Sequence, residues 1–440
     1  MRRCVRIRGV TWTRREWLRG VTAAWMAQVT SARIAGQEGL GPLASRIQAD
    51  LRRHASFGDK FSGGPGDAAT AQWIADRLRK SGYRLDESMF DAPFFAKRLA
   101  RLTSGGMSAT VLPQAPVLTT GPAGVTAPMS VVETQIRNVS GRIALIVTPL
   151  ARHAALFPDR GIGLTVRTAA AEGALAIVVV TMGPTAEAIA LNAPEDEPFV
   201  PVPTAILAPR LAEPFVAAAR AGASATLVVD GDATRRPSIN LVGRLQRGER
   251  WLAISTPRSG WFGCVGERGT GTAVFLQLAD WAVRRFPNHS IFVMNTGGHE
   301  YFFAGSHRVI AQAPPPNATV AWAHVGATLA ARDAEERDGR LIMLDSADPQ
   351  RSLMVTPAAR DAGLQAFKGL TGLDRPVDVQ PNAGELSTFS DRGYAKAFAV
   401  LGVHRWLHTS EDTLERVDAR LVVPVLQAHQ KMIELLVGQS

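Results

Sequence analysis

Residues that could bind a metal ion or transfer a proton fall in three short segments, far apart in this 440-residue sequence. The first segment holds Glu267 among glycines, the second contains His299 and Glu300, and the third has His408 before an acidic stretch. Carboxylate oxygens and imidazole nitrogens are zinc ligands in proteins, and imidazole also exchanges protons near neutral pH. These residues predict a metal-assisted or acid–base site, provided that the fold brings them together.

The residues after His408 resemble the start of a helix. Thr409 or Ser410 can cap a helix, and Glu411 and Asp412 suit its positive end. We therefore predict that a helix begins here and holds His408 on a rigid junction.

Strands alternate with helices around these segments from about residue 238 to the end of the chain. Apolar patterns predict strands at 240–243, 251–254, 290–295, 319–324 and 398–401, and long helices at 271–286 and 421–436. This alternation predicts an α/β fold with a mostly parallel sheet flanked by helices. Glu300 and His408 follow strands, His324 ends one, and Glu267 precedes a helix, so all four are expected at one edge of the sheet.

Residues 105–237 have the pattern of a separate α/β unit. Continuous Val and Ile runs bounded by glycines predict strands that are covered on both faces, at 141–147, 173–180, 200–207 and 225–229. The unit contains no cluster of catalytic residue types.

The N-terminus has the features of an export signal. Arg14 and Arg15 precede a mildly apolar stretch from Val21 to Val29 and small residues up to Ala35. This pattern predicts a twin-arginine (Tat) signal peptide at 1–35, a partnership with the Tat export machinery, and a periplasmic or secreted protein. A basic amphipathic helix on the protein surface is the alternative.

Charge, apolar runs and cysteines exclude several classes of protein. The leader carries eight arginines and one glutamate, so the net charge of +10 falls to about +3 without it, and nucleic acid is not an expected partner. No apolar run reaches about 18 residues, so no transmembrane span is expected in the mature chain. Cys4 lies in the leader, and Cys264 alone allows no internal disulfide.

The three segments together resemble the metal-binding segments of the M28 peptidase family, zinc aminopeptidases that also include glutaminyl cyclases. The resemblance extends over nearly the whole chain after the leader. It implies a zinc-exopeptidase domain formed by 36–104 and 238–440. It also implies that 105–237 is an insert similar to the protease-associated (PA) domain, with an expected role as a lid or in substrate selection.

The resemblance also implies a partly altered metal site. The bridging Asp of the family corresponds to Glu267, the metal-binding Glu to Glu300 and the final His to His408, while His324 lies near the position of a later Asp. The family's HxD pattern falls on Thr256–Pro257–Arg258, which lacks both ligands. One zinc ion bound by Glu267, Glu300 and His408 is the expected cofactor. The second metal of the family has lost its His ligand, which only His324 could partly replace.

Three further roles follow from the same resemblance. His299 replaces the glutamate that acts as general base in the family. Arg258 is expected in the emptied second metal site, where its charge would act on substrate. Glu385 is expected to bind a substrate amine or, alternatively, to pair with Arg392.

The expected function is metal-dependent hydrolysis of a peptide or a small related amide. Two alternatives remain open from the sequence. One is a catalytically inactive periplasmic binding protein of the same fold, and the other is aminoacyl cyclisation.

Overall fold

The computed structural model describes residues 40–133, 136–338, 340–380 and 384–438. The predicted signal peptide at 1–35 lies outside these residues. The chain divides into two compact units with the boundary between Arg46 and Ile47, and the sheet and the cavity belong to the unit Ile47–Ser440. Within the described ranges, no helix has the length and apolar character needed to cross a membrane.

The described residues form both β-strands and α-helices. In chain order the strands are β1 (Arg84–Ser104), β2 (Met107–Thr110), β3 (Leu112–Pro113), β4 (Val125–Val132), β5 (Ile143–Val147), β6 (Ala176–Val180), β7 (Thr204–Leu207), β8 (Ser224–Leu245), β9 (Trp251–Pro257), β10 (Ser290–Thr296), β11 (Thr319–Val325), β12 (Arg332–Arg337), β13 (Arg340–Ala347), β14 (Arg351–Val355), β15 (Val377–Asp378) and β16 (Ala397–Gly402). The α-helices are Pro42–Ala55, Pro65–Lys80, Gly161–Ala171, Glu213–Arg220, Thr270–Arg285, Ala304–Val309, Arg360–Ala366, Ser387–Ser390 and Ala419–Gly438.

Four parallel strands position the residues singled out in the sequence. β16, β11, β9 and β10 are neighbours in that order, and each pair among them is parallel. Each of these strands is almost entirely buried, as expected for parallel strands covered by helices on both faces. Their carboxyl ends therefore meet at one edge, where the following loops can form a site. The predicted α/β fold with a mostly parallel sheet is confirmed.

The long strand β8 connects this part of the sheet with the strands of residues 105–237. β8 pairs antiparallel with β10 at one end and with β4 at the other, and β1 follows it along most of its length. β4, β5, β6 and β7 are parallel to one another and pack into two hydrophobic clusters, one of which also includes residues of β1 and β8. β8 and β1 thus belong to both parts, and a separable PA-like domain at 105–237 stays a prediction.

The helix predicted to begin at Thr409 or Ser410 is not formed. Residues 405–411 form turns, a 3₁₀ helix follows at Leu414–Arg416, and the α-helix begins only at Ala419. His408 has a φ of 58°, in the left-handed region that ends regular structure. The prediction was wrong because the Asp412 carboxylate binds backbone N–H groups of a distant segment instead of its own helix.

Candidate functional site

A cavity of about 440 Å³ opens at the carboxyl edge of the parallel strands. Its walls are mostly apolar, with Phe157, Phe302 and Phe303 on one side. Charged and ionisable side chains also line it, namely His153, Glu267, His299, Arg351, Glu385 and His408. A pocket with apolar walls and a few convergent polar groups is typical of a small-molecule or peptide site.

His299 and Glu385 form the first polar group of the cavity. His299 Nδ1 lies 3.0 Å from Glu385 Oε2, and Thr296 Oγ1 donates to Glu385 Oε1 at 3.3 Å. Burial opposes ionisation of Glu385, but the hydrogen bond from His299 and the nearby His324 outweigh it and lower the pKa of Glu385 to about 2. An ionised Glu385 accepts a hydrogen bond, so Nδ1 of His299 carries the proton and Nε2 is left as an acceptor.

His324 lies behind this pair, at the end of β11. Its Nδ1 lies 2.9 Å from Ser255 Oγ, which also accepts a hydrogen bond from Trp322 Nε1. Its Nε2 is 3.7 Å from Glu385 Oε2, too far for a hydrogen bond. Burial lowers the pKa of His324 to about 4, so its imidazole is neutral at pH 7. The structure thus places His324 next to Glu385, which the sequence analysis treated separately.

Glu267 and His408 form the second polar group. His408 Nε2 is 3.2 Å from Glu267 Oε1, and the same oxygen lies 2.7 Å from Nη2 of the buried Arg268. Burial opposes ionisation of Glu267, but Arg268 and His408 more than compensate and hold the pKa of Glu267 well below its ordinary value. The other oxygen, Oε2, is buried and receives no hydrogen bond from any residue that the structure describes.

Asp412 holds Glu267 in place through the backbone. Its carboxylate accepts the N–H groups of Gly266 at 2.7 Å and Glu267 at 3.0 Å, at the start of the helical segment that runs into Thr270–Arg285. The carboxylate also lies 3.3 Å from His404 Nε2. A carboxylate is favoured at a helix start because free N–H groups point out of it. Glu267 is therefore fixed by a residue four positions after His408.

Gly266→Ala is expected to destabilise the protein. A Cβ at this position would lie 2.7 Å from Asp412 Oδ1 and 3.0 Å from the His404 ring. Asp412, which holds the backbone of Glu267, would therefore have to move. Overpacking of this kind costs about 1–3 kcal/mol, measured as the free energy of unfolding in urea. Gly438→Ala is the matched control, because a Cβ there meets nothing within 4 Å. Equal stability of the two variants would contradict the close packing of Gly266 against Asp412.

Glu300 follows β10 as predicted, but both of its carboxylate oxygens bind within the protein. Oε1 accepts the Ser62 N–H at 2.8 Å, and Oε2 accepts the Ser259 hydroxyl at 2.6 Å. Burial raises the pKa of Glu300, although these hydrogen bonds oppose the shift. Its carboxylate does not line the cavity as the described residues define it. The structure therefore brings Glu267 and His408 together and leaves Glu300 with its serine partners.

Arg258 lies fully buried at the end of β9, outside the described lining of the cavity. Its Nε donates to Asp67 Oδ1 and its Nη1 to Asn295 Oδ1, both at 2.7 Å, while Nη2 donates to the Ile239 carbonyl. Thr256 donates its hydroxyl to the Val325 carbonyl at 2.6 Å. Both side chains therefore form hydrogen bonds with other groups of the protein. A direct role of Arg258 in substrate binding stays a prediction.

The donor set does not fit the predicted zinc ion. A catalytic zinc site has three protein ligands and an open position. Within the described residues, no group of three His, Cys, Asp or Glu side chains is arranged to hold a metal ion. Glu267 and His408 supply two donors, the Glu300 oxygens already accept hydrogen bonds, and the Arg268 guanidinium contacts the Glu267 carboxylate. A zinc ion between Glu267 and His408 would lie beside a permanent positive charge.

Sequence reasoning missed several residues of the site. His153 comes from the loop after β5, and its ring lies 5.2 Å from that of His408. Arg268, next to Glu267 in the sequence, and Asp67 belong to no motif that indicates a site. Their signals were weak, since a loop histidine and a charged residue next to an oppositely charged one are common on protein surfaces.

Several solved structures share this fold over most of their length. An aminopeptidase from Aneurinibacillus sp. strain AM-1 has a TM-score of 0.62 and 16% identity, covering 89% of this chain and 93% of that one. BSAP, a zinc aminopeptidase from Bacillus subtilis, has a TM-score of 0.66 and 16% identity, covering 89% and 95%. A peptidase M28 precursor from Shewanella amazonensis SB2B has a TM-score of 0.66 and 14% identity, covering 90% and 95%.

The sequence itself matches no protein-family model and no curated protein. At 14–16% identity, the structural likeness establishes the fold and leaves the chemistry to the residues of this chain. The chain has the fold of the M28-type zinc aminopeptidases.

Proposed function

We propose that this protein hydrolyses a peptide or a related small amide in the cavity at the carboxyl edge of the sheet. The observation that carries the proposal is the pair His299–Glu385, which opens into that cavity. A histidine oriented by a buried carboxylate is a standard arrangement for general-base catalysis. The proposed roles are general base for His299 and orienting residue for Glu385.

The protonation states support these roles. Burial, and next the positive charge of Arg268, hold the pKa of His299 below its ordinary value, so the imidazole is neutral at pH 7. The ionised Glu385 accepts the Nδ1 proton, which leaves Nε2 free to take a proton from a water molecule in the cavity. The base can later return this proton to the leaving amine, so that hydrolysis needs no net proton uptake by the protein.

The walls of the cavity support a peptide or amide substrate with an apolar group. Phe157 and Phe302 stack with ring centroids 5.1 Å apart, and Phe303 lies 4.9 Å from the His299 ring. Phe157 belongs to residues 105–237, which also contribute His153 and Asn192 to the cavity. We propose that this part of the chain selects the substrate, the role expected for a PA-like insert.

A zinc-dependent form of the reaction is the expectation from the sequence. In the present arrangement Glu300 would have to leave Ser62 and Ser259 before it could act as a third ligand. No step of the proposed mechanism therefore uses a metal ion. The proposal is tested both with and without zinc, so that a zinc requirement would be detected.

The test is a panel of dipeptides, aminoacyl amides and peptides that begin with glutamine, analysed by mass spectrometry after incubation with purified protein. Hydrolysis adds the mass of one water molecule to the summed products. Cyclisation of an N-terminal glutamine, the aminoacyl cyclase alternative, instead releases ammonia without adding water. Hydrolysis of at least one class supports the proposal, whereas no water addition in either zinc or EDTA contradicts it.

A catalytically inactive binding protein is the second candidate. The observation that favours it is that Glu300 and Arg258 form hydrogen bonds within the protein. The family resemblance assigns both residues to positions of the metal site. Such a protein would retain the cavity and bind peptides without changing them. Calorimetric binding of a peptide that is recovered intact would favour this function over hydrolysis.

We also propose that the protein is exported through the Tat pathway to the periplasm or the medium. The support is Arg14 and Arg15 with the apolar segment behind them. Replacing both arginines by lysine should leave the protein in the cytoplasm on cell fractionation. Unchanged export of that variant would contradict the twin-arginine route.

A further inference from the structure

Two buried arginines each pair with a carboxylate in the part of the fold where the sequence predicts metal ions. Arg268 Nη2 lies 2.7 Å from Glu267 Oε1, and both side chains are at most 2% exposed. Arg258 Nε lies 2.7 Å from Asp67 Oδ1, and this pair is equally buried. A guanidinium stays protonated at any physiological pH, so both positive charges are permanent.

Arg268 is fixed on two sides. Its Nε donates to the Ser259 carbonyl at 3.0 Å, while Nη2 contacts Glu267. Ser259 also donates its hydroxyl to Glu300, so one residue anchors both the arginine and the carboxylate predicted as a zinc ligand. Movement of Glu300 toward Glu267 would break this connection.

The pairing leaves one oxygen of Glu267 unused. Oε1 interacts with Arg268 and His408, whereas Oε2 is buried and has no hydrogen-bond partner among the described residues. This oxygen faces Gly260, where a Cβ would meet it at 3.3 Å, whereas Glu267 as a residue lines the cavity. An ionised carboxylate in a cavity wall favours a ligand that carries a hydrogen-bond donor or a positive charge.

We propose that Arg268 takes the place of a metal ion in this cleft. It holds Glu267 in the wall of the cavity, where the carboxylate accepts a hydrogen bond from an N–H or ammonium group of a ligand, and no zinc ion binds between Glu267 and His408. The part concerning zinc is independent of catalysis. The part concerning the ligand rests on the proposed function of the cavity.

The test measures zinc binding to tag-free protein by equilibrium dialysis and elemental analysis, without any substrate. Wild-type protein is expected to bind no zinc at this site at micromolar free zinc. Arg268→Met removes the competing charge and should bind zinc at least about tenfold more tightly than wild type. Glu267→Gln in the Arg268→Met background should abolish that gain. Stoichiometric zinc in the wild type that is lost in His408→Ala would overturn the proposal.

Folding of the variants is checked by circular dichroism. Arg268→Met leaves a buried charge on Glu267 and risks misfolding, whereas the double variant Glu267→Gln/Arg268→Met removes both charges together. If the single variant does not fold, recovery of folding in the double variant supports the pairing, and its absence overturns it. A folded Arg268→Met that binds zinc no better than wild type also overturns it.

The ligand part is tested by calorimetry with a small apolar aminoacyl amide as the probe. Glu267→Gln keeps the shape of the side chain but weakens its interaction with an ammonium group, so the affinity should fall about tenfold or more. An unchanged affinity overturns this part. Absence of turnover in every variant would count against hydrolysis and leave both binding results valid.

Discussion

Arg258→Met should lower the free energy of unfolding by about 3–5 kcal/mol, measured by urea denaturation. The guanidinium is fully buried and donates to Asp67, Asn295 and the Ile239 carbonyl. Methionine fills a similar volume but leaves the Asp67 carboxylate in the interior without its cation. The remaining Ser238 and Gly63 donors at 2.8 and 3.2 Å cannot replace a full positive charge.

A double variant separates the lost ion pair from lost packing. Asp67→Asn/Arg258→Met removes both charges and should be more stable than Arg258→Met alone. Arg98→Met is the surface control, because Arg98 pairs with Asp230 and Asp232 in solvent, where ion pairs contribute little. A similar effect of Arg98→Met and Arg258→Met would show that burial of the Arg258 pair has no energetic consequence.

His299→Gln should reduce the turnover number by about 10²–10⁴-fold, the usual contribution of a general base. Glutamine has a similar reach but cannot accept a proton near neutral pH. The glutamine side chain can still donate a hydrogen bond to Glu385, so the variant should remain folded, as checked by circular dichroism. His307→Gln is the matched control, since His307 lies eight positions later and does not line the described cavity. Full activity of His299→Gln would remove this residue from the mechanism.

The pH profile tests the partnership with Glu385. Only the neutral imidazole can act as base. The rate should therefore rise as pH increases through the pKa of His299, which forms the acidic limb of the profile, and then stay level. Burial and Arg268 place this limb below the ordinary pKa of histidine, and the Glu385 carboxylate opposes that shift. Glu385→Gln should therefore move the limb to lower pH and reduce the plateau. An unmoved limb would indicate that another group titrates.

The sequence predicted the fold well because its strongest signals are local. Buried apolar runs and helical spacing located β9, β10, β11 and β16 to within a few residues, and parallel strands then require a common carboxyl edge. Along that edge His299, Glu385 and His408 line one cavity, together with Glu267. Position in the sequence alone predicted Glu267 and His408 at this edge, whereas the resemblance supplied the roles of His299 and Glu385.

The direction of each side chain did not follow from the sequence. Glu300 follows β10 as predicted, but Ser62 and Ser259 donate hydrogen bonds to its carboxylate oxygens. Ser62 is 238 positions away in the sequence. The Asp67–Arg258 pair likewise joins residues 191 positions apart. Asp412 resembled a helix-start residue because local pattern cannot reveal that Gly266 and Glu267 lie against it. Long-range polar contacts decided all three cases.

The most direct test of the account is the rate of peptide or amide hydrolysis in EDTA, measured side by side for the wild type and His299→Gln. We expect the wild type to release product at the same rate in EDTA and in added zinc, because the proposed base and its orienting carboxylate belong to the protein. His299→Gln should release almost none in either condition. Hydrolysis that occurs only with zinc, or that persists undiminished in His299→Gln, would contradict the account.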